Sequence, residues 1–191
     1  MKPPSTSREA ILGACREIVR ERGLSGISVR SVASACGVAV GTIYHYFPDK
    51  EALLLAVTAD IWSDVFDPGN RLVHADGFVD YVEGTFDEAS RRLSQYPGFL
   101  SEHGLGLASI SGWSEERMRR GRQRMRSFPS GIRRGLLDVL DVDGRIRPDV
   151  WDADLSREDF VEFVTQQLLV LLVLGRRDCR ALLGVIKRTL Y

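Results

Sequence analysis

The sequence predicts an all-α protein, in which a three-helix headpiece is followed by a C-terminal helical bundle, with about nine helices in total. Apolar residues recur at intervals of three and four along most of the 191 residues, and the strict alternation of a half-buried strand is absent. Capping residues and Gly or Pro breaks divide these stretches into segments of helical length. We expect residues 1–50 to form one domain and residues 51–191 the other.

The first helix is expected to follow an irregular, proline-containing arm over residues 1–5. Thr6 and Glu9 have the spacing of a capping box, which predicts the start of the helix. An apolar stripe then continues to Gly23 and consists of Ile11, Ala14, Cys15, Ile18 and Val19. This stripe is expected to cover the core of the headpiece.

Two short helices joined by a tight turn are predicted next. Ser28 is a good N-cap in front of Val29, and Gly37 lies where a chain leaving a helix adopts a left-handed conformation. The second of these helices is expected from Ala39 to Phe47. Its inward face has residues at intervals of four, namely Ala39, Ile43 and Phe47. Its opposite face carries Val40, Gly41, Tyr44 and His45.

The outward face of this helix has an unusual composition. A solvated face normally carries Glu, Lys or Arg, whereas this one presents a valine, a glycine, a tyrosine and a histidine beside Thr42. Gly41 inside a helix costs about 1 kcal/mol relative to Ala. This cost is easiest to explain if another molecule approaches the backbone closely, and DNA is one candidate.

The remainder of the chain is predicted to be helical. Pro48 and Asp49 begin a long amphipathic helix that continues to about Phe66, and the turn residues 67–70 end it. Further helices are expected at about 77–95, 98–111, 114–140, 157–175 and 177–190. We find no internal repeat and no low-complexity segment.

The run Val32-Ala33, Cys36-Gly37-Val38, Gly41-Thr42-Ile43-Tyr44-His45-Tyr46-Phe47 and Lys50-Glu51-Ala52-Leu53 resembles the N-terminal helix-turn-helix of the TetR family of transcriptional regulators. The resemblance covers about residues 8–57. It implies a DNA-binding regulator, most often a repressor, which binds a palindromic operator on double-stranded DNA as a homodimer. It also implies that an unknown small-molecule effector enters the C-terminal half, shifts the long connecting helix and releases the DNA.

The resemblance implies two kinds of DNA contact. Residues expected at phosphates or flanking them are Ser28, Arg30, Tyr44, Tyr46 and Lys50. Residues expected at base edges are Val40, Thr42 and His45, beside Gly41. Simpler interpretations also exist, because Tyr46 could be a packing residue, Ser28 only a cap, and His45 and Lys50 ordinary surface residues. The sequence departs from the family pattern at Ala39, where a capping Ser or Thr is common, and at Val40, which is often polar.

Two further sets of residues are candidates in the C-terminal half. An effector pocket is predicted from aromatic and polar residues, which could instead be plain core: Trp62, Phe66, Tyr81, Phe86, Phe99, His103, Trp113, Phe128, Phe163 and Gln166. A twofold four-helix dimer interface is predicted from the last two helices, although they could instead be buried within their own domain. Its residues are Phe160, Val164, Gln167, Leu168, Leu171, Leu172, Leu182 and Ile186.

Composition argues against several other classes. The 26 Lys and Arg residues equal the 26 Asp and Glu residues, so the whole chain has no basic surplus, which is weak evidence against nucleic-acid binding. The three cysteines lack metal-ligand spacing and predict reduced core thiols. The longest apolar run, residues 168–174, is too short to span a bilayer, so we expect a cytoplasmic protein with no membrane partner.

No catalytic residues, metal site or cofactor is predicted. The histidines are scattered, and no nucleophile has a recognisable partner. The Arg-rich run over residues 117–126 is more typical of a solvated face than of a phosphate site. Two alternatives stay open: an activator or protein-responsive regulator without a small-molecule pocket, and, more distantly, an all-helical enzyme that keeps the headpiece as a scaffold.

Overall fold

A computed structural model of the chain describes residues 6–66, 75–100 and 130–191, and these contain helices, turns and loops but no strand. The all-α prediction is confirmed. The described α-helices are α1 (Arg8–Arg22), α2 (Val29–Cys36), α3 (Val40–Tyr46), α4 (Lys50–Val65), α5 (Phe78–Leu93), α6 (Ser130–Val142), α7 (Arg157–Val173) and α8 (Arg180–Leu190). The predicted turn at 67–70, the Arg-rich run, His103, Trp113 and Phe128 lie outside the described residues.

The chain divides into two compact units. Among the described residues, the first comprises 6–64 and 92–100, and the second comprises 65–66, 75–91 and 130–191. The domain boundary expected at residue 50 stays a prediction. Among the described residues, no helix combines the length and the apolar character needed to cross a membrane.

The first unit contains the three-helix headpiece. Helix α1 packs on α2, and α2 packs on α3. Its fully buried side chains come from all three helices and include Ile11, Cys15, Val19, Val32 and Ile43. Burying a side chain of the size of Ile contributes about 1.5–3 kcal/mol, so this small core suffices to fix the helices against one another. Burial raises the pKa of the Cys15 thiol to about 12, which suits a packing residue.

Helix α1 begins one residue later than the predicted capping box implies. The N-cap is Ser7, whose hydroxyl accepts a 3.1 Å hydrogen bond from the N–H of Ala10. The prediction that Thr6 caps the helix is therefore wrong. Ser7 has the extended backbone of a cap, with φ −117° and ψ 166°, immediately before the first helical residue.

The turn between α2 and α3 forms as its residues predict. Ser28 caps α2 by accepting from the N–H of Ser31 at 3.0 Å, and the Ser31 hydroxyl accepts from the N–H of Ser28 at 2.9 Å. Gly37 ends α2 in the left-handed conformation, with φ 63° and ψ 31°. The N–H of Val38 then donates to the carbonyl of Ala33 at 3.0 Å, which closes the turn.

Helix α3 is shorter than predicted at both ends. Ala39 is its N-cap residue and is exposed, so the prediction that Ala39 points into the core is wrong. An alanine offers no side-chain acceptor, and this N-cap makes no side-chain hydrogen bond. Phe47 follows the helix and is buried, as its spacing predicts.

Helix α4 starts where Pro48 and Asp49 predict. The Asp49 carboxylate accepts a 2.7 Å hydrogen bond from the N–H of Ala52, which satisfies one of the free donors of the first turn. Leu53, Val57 and Ile61 of this helix are fully buried. The apolar stripe of α4 therefore faces the core over its length.

In the second unit, the carboxylate of Asp143, just after α6, joins the start of α5 to Tyr191. The Asp143 carboxylate accepts from the N–H of Phe78 at 2.9 Å, and also from the Arg145 guanidinium and the Tyr191 hydroxyl. Burial alone would raise the pKa of Asp143, but these hydrogen bonds outweigh it and hold that pKa well below its usual range. Gly77, with φ 140°, lies next to the Asp143 carboxylate and the Arg145 guanidinium, and a Cβ at this position would collide with Arg145.

The last two helices are shorter than predicted. Helix α7 ends at Val173, and Gly175 follows in the left-handed conformation with φ 61°. Helix α8 begins at Arg180 and not at 177. The Asp178 carboxylate accepts a 3.2 Å hydrogen bond from the N–H of Arg180, the first helical residue. Residues 177–179 therefore precede the helix and are not part of its first turn.

Candidate nucleic-acid interface

Helix α3 has one buried and one exposed face. Ile43 has no exposed surface and anchors the helix to the headpiece core. On the opposite face, Val40 is 39% exposed and Tyr44 is 50% exposed. Gly41 and His45 are also exposed, and Thr42 is half-buried at the edge. The structure therefore brings the residues predicted to meet base edges, together with the predicted phosphate residue Tyr44, onto one accessible surface. We call this surface the α3 face, and its residues are Val40, Gly41, Thr42, Tyr44 and His45.

Gly41 is not required by the packing of the protein itself. A Cβ at this position would have no atom within 4 Å. Its backbone is not in the left-handed region, so an alanine would fit without strain. The packing of the described residues therefore does not require a glycine at this position, although the glycine costs helix stability.

Three exposed polar groups border the α3 face. Arg30 of α2, Tyr44 of α3 and Lys50 at the start of α4 make no hydrogen bond or ion pair with any residue that the structure describes. By contrast, Arg16 and Arg20 of α1 bind carboxylates of α4. The first three groups are free to donate to phosphate oxygens, and Arg and Lys also supply positive charge.

Two of the predicted phosphate residues already have partners. The Ser28 hydroxyl is used in the cap of α2. The Tyr46 hydroxyl donates a 2.6 Å hydrogen bond to the backbone carbonyl of Thr6. Because a phenol has one hydrogen, Tyr46 cannot donate to a phosphate while this bond persists. Its partner lies at the start of α1, where the Arg8 guanidinium also lies 4.6 Å from the centroid of the Phe47 ring.

Comparisons with known proteins agree with this geometry. Residues 11–57 match the sequence profile of bacterial regulatory proteins of the tetR family. The N-terminal helix-turn-helix of this chain belongs to the TetR family. The TetR profile includes α2, α3 and the first half of α4, so it contains the whole α3 face together with Arg30 and Lys50.

Two relatives share this TetR-type region. The regulator UidR of Escherichia coli K12 is 33% identical over 76 residues, which are 40% of this chain and 39% of UidR. The repressor AcnR of Corynebacterium glutamicum is 32% identical over 88 residues, which are 46% of this chain and 45% of AcnR. The chain thus spans less than half the length of each of these relatives.

The fold likeness extends over nearly the whole chain. A structural-genomics crystal structure of a Rhodococcus sp. RHA1 protein, assigned there to the transcriptional regulators, superposes with a TM-score of 0.65 and 16% identity. The superposition covers 96% of this chain and 94% of that protein. At this identity the likeness concerns the fold alone.

The predicted effector residues are mostly buried where the structure describes them. Trp62 and Phe99 contact each other edge to face in the first unit, with ring centroids 5.5 Å apart. Phe66 and Tyr81 are buried in the second unit. Phe163 and Gln166 are exposed on α7, so the structure places them on a surface and not in a pocket interior.

Six of the eight predicted dimer residues are buried within the protomer. Phe160, Val164, Leu168, Leu172, Leu182 and Ile186 each have 7% or less of their surface exposed. Phe160, for example, packs against the rings of Phe78 and Trp151. The structure places these six side chains in the interior of one protomer, because the apolar circumference of α7 mostly faces its own core, and the dimer interface stays a prediction. Gln167 and Leu171 are half-buried.

A different set of apolar side chains is exposed on the last two helices and the residue after α7. These are Phe163, Val170, Val173, Leu174 and Val185, with exposures between 44% and 67%. Sequence periodicity could not separate them from the buried set, because both faces of α7 are apolar.

The second unit also has a cavity of about 710 Å³ that no sequence pattern indicated. It is lined largely by charged residues: Asp76, Val79, Asp80, Glu83, Arg145, Lys187 and Tyr191. None of the predicted effector residues lines it. Its walls come from segments far apart in the chain, so no local motif could have identified it.

Proposed function

We propose that this chain is a DNA-binding transcriptional regulator and not an enzyme. It binds as a homodimer to a palindromic operator and acts as a repressor. The observation that carries the proposal is the α3 face, which combines apolar and hydrogen-bonding groups with an open glycine on a TetR-type helix-turn-helix. The relative AcnR is a repressor, which supports the direction of regulation. A cytoplasmic location follows from this role.

The α3 face enters the major groove in this proposal. Val40 and the Thr42 methyl group meet thymine methyls, and His45 meets a purine acceptor. Gly41 lets the helix backbone come close to the DNA, as the empty space around it allows. These contacts read the sequence, whereas Arg30, Tyr44 and Lys50 hold the helix by binding phosphates.

Tyr46 and Ser28 have supporting roles in the same proposal. Tyr46 keeps its hydrogen bond to Thr6 and holds the start of α1 beside the end of α3. Ser28 fixes the start of α2 through its capping contacts. Arg30, two residues later, binds the neighbouring phosphate in its place.

The short length of α3 is the reason for proposing a homodimer. Helix α3 has seven residues and contacts too few base pairs to be selective alone. Two copies at a fixed separation read half-sites about 34–36 Å apart. The exposed apolar side chains of α7 and α8, including Phe163, Val170 and Val185, supply the surface that a second copy covers.

Release by a small molecule requires an effector that binds the DNA-free state more tightly than the DNA-bound state. We propose the C-terminal domain as its location, with buried aromatic residues such as Phe66 and Tyr81 among the groups that sense it. A thermal-shift screen identifies such a compound, because a ligand that binds only the folded state raises the melting temperature. The same compound must then weaken operator binding.

Selection of bound sites from a random duplex library tests the proposal. The purified full chain is expected to recover an inverted repeat, in which each half-site is bound by the α3 face of one protomer. Binding to the recovered site is expected to weaken with added salt. Recovery of no enriched sequence from several selection rounds would reject the proposal.

A further inference from the structure

A buried tyrosine joins three segments of the first unit. Tyr96, in the turn after α5, is 2% exposed. Its hydroxyl donates a 2.6 Å hydrogen bond to the Asp64 carboxylate and accepts a 3.1 Å hydrogen bond from the Arg20 guanidinium. Arg20 is in the last turn of α1, and Asp64 is in the last turn of α4. One hydroxyl group therefore connects the ends of two helices.

The same two helices are paired a second time, one turn earlier. Arg16 of α1 binds the carboxylate of Asp60 in α4. Arg20 and Asp64 form the matching pair at 3.8 Å. The two arginines are four residues apart on α1, and the two aspartates are four residues apart on α4, so each pair of like residues lies on one helix face. We call these two successive ion pairs the ladder, and each ion pair is one rung. Both ion pairs form in the observed register of α1 along α4.

The ladder alone does not define one register. A displacement of α1 by one helical turn, about 5.4 Å, would bring an Arg of one rung opposite the Asp of the other. One ion pair would persist after such a displacement. The Tyr96 hydroxyl lies at the second rung only, and it therefore distinguishes the observed register from the displaced one.

Tyr96 is itself held firmly within the first unit. The Arg20 guanidinium lies 5.1 Å from the centroid of its ring, and the Phe99 ring lies 6.3 Å away. Arg92 of α5 donates to the backbone carbonyl of Asp64 beside it. Burial, followed by the bond to Asp64, raises the pKa of Tyr96 to about 12, so the hydroxyl stays a donor at neutral pH.

We propose that Tyr96 is a positioning residue for the DNA-reading headpiece, whose hydroxyl selects the register of α1 on α4 and thereby the position of α3. The connection to α3 runs through helix packing, since α1 packs on α2 and α2 packs on α3. Tyr96 follows α5 and lies outside the helix-turn-helix, so it acts on DNA binding without touching DNA. The inference rests on the proposed function.

The Tyr96→Phe variant tests this role in the full chain. It removes the hydroxyl and keeps the ring, so the aromatic contacts with Phe99 persist. In a selection with variable spacing between half-sites, the variant is expected to prefer a different spacing or to accept a broader range than the wild type. Its affinity for the wild-type operator is expected to fall about tenfold, the scale of one charge-assisted hydrogen bond. Its affinity for non-specific duplex is expected to stay unchanged, because phosphate contacts do not need a fixed separation.

Two controls separate positioning from stability. Leu136→Val trims a fully buried side chain of the second unit, and it is expected to lower the melting temperature while it leaves the spacing preference unchanged. Asp64→Asn keeps an acceptor for the hydroxyl and is expected to keep that preference, whereas Asp64→Ala is expected to share the Tyr96→Phe result. If Tyr96→Phe does not fold, the Asp64 pair still decides the question.

The outcomes distinguish this inference from the proposed function. If the wild type selects an inverted repeat and Tyr96→Phe selects the same repeat with the same spacing and affinity, the positioning role is wrong and the proposed function stands. Equal losses of specific and non-specific affinity in Tyr96→Phe would also overturn the positioning role. If the wild type selects no sequence, the proposed function itself fails.

Discussion

The hydroxyl of Tyr46, the last residue of α3, donates a 2.6 Å hydrogen bond to the backbone carbonyl of Thr6, just before α1. This bond joins the two ends of the headpiece in the absence of DNA. Tyr46→Phe is therefore expected to destabilise the free protein by about 1 kcal/mol, the usual contribution of one hydrogen bond. Amide hydrogen exchange of residues 8–11 is expected to become faster. An unchanged stability together with a loss of operator affinity as large as that of Tyr44→Phe would contradict this role.

The phosphate contacts predict a specific salt dependence. Lys50→Ala removes a positive charge that has no partner among the described residues. The slope of log K against log salt is expected to fall by about 0.9 for each lost contact, hence by about 1.8 for a dimer. Tyr44→Phe removes an uncharged donor, so it is expected to weaken binding at every salt concentration without changing the slope. Fluorescence anisotropy titrations from low to high salt measure both.

A matched control for Lys50 is available on the last helix. Lys187 of α8 is also exposed, and it lies outside the headpiece. Lys187→Ala is expected to leave the salt slope unchanged. Equal slopes for the wild type and Lys50→Ala would remove Lys50 from the interface.

The cap of α3 can be improved. Ala39 has the extended backbone of an N-cap, with φ −70° and ψ 149°, but no side-chain acceptor. Ala39→Ser is expected to raise the free energy of unfolding by about 1 kcal/mol, because a serine hydroxyl can accept from a free N–H of the first turn. Ser7→Ala at the N-cap of α1 is expected to lower it by a similar amount. Urea denaturation measures both, and a destabilised Ala39→Ser would show that the α3 start is constrained by something other than its cap.

Acid stability depends on Asp143. Its carboxylate accepts from Phe78, Arg145 and Tyr191, and its pKa is lowered despite burial. Because the folded-state pKa is below the unfolded value, the carboxylate contributes stability above the unfolded pKa, about 3.9, and this contribution is lost as the pH falls toward the folded pKa. Asp143→Asn is expected to cost about 2 kcal/mol at pH 7 and to flatten the pH dependence of stability below about pH 4. An undiminished pH dependence in the variant would assign acid unfolding to other carboxylates.

Local chemistry predicted most of the headpiece. Ser28, Gly37 and Asp49 each fix a helix end through contacts with residues three to five positions away, and the sequence shows these directly. The sequence does not separate Thr6 from Ser7 as the cap of α1, because both residues can cap and only backbone geometry selects between them. The spacing of Ala39 predicts a core position, but Ala39 precedes the helix to which that spacing applies.

Long-range features could not be predicted in this way. The Tyr96 hydroxyl binds Asp64, which is 32 positions earlier, and Arg20, which is 76 positions earlier. No periodicity relates such residues. Likewise, α7 is apolar around most of its circumference, so the sequence could not show that Phe160 is buried and Val170 exposed.

Gly41 provides the most direct test that the α3 face lies against DNA. In the free protein a Cβ at this position meets no atom within 4 Å, so Gly41→Ala is expected to raise the free energy of unfolding by about 0.5–1 kcal/mol. On DNA the added methyl group occupies the space into which the duplex fits, and operator affinity is expected to fall at least about tenfold, a cost of about 1.4 kcal/mol. Both quantities are measured on one preparation, with Gly41→Leu as the larger substitution. A variant that gains stability and loses operator binding supports the proposed interface, whereas Gly41→Leu with unchanged operator affinity would contradict it.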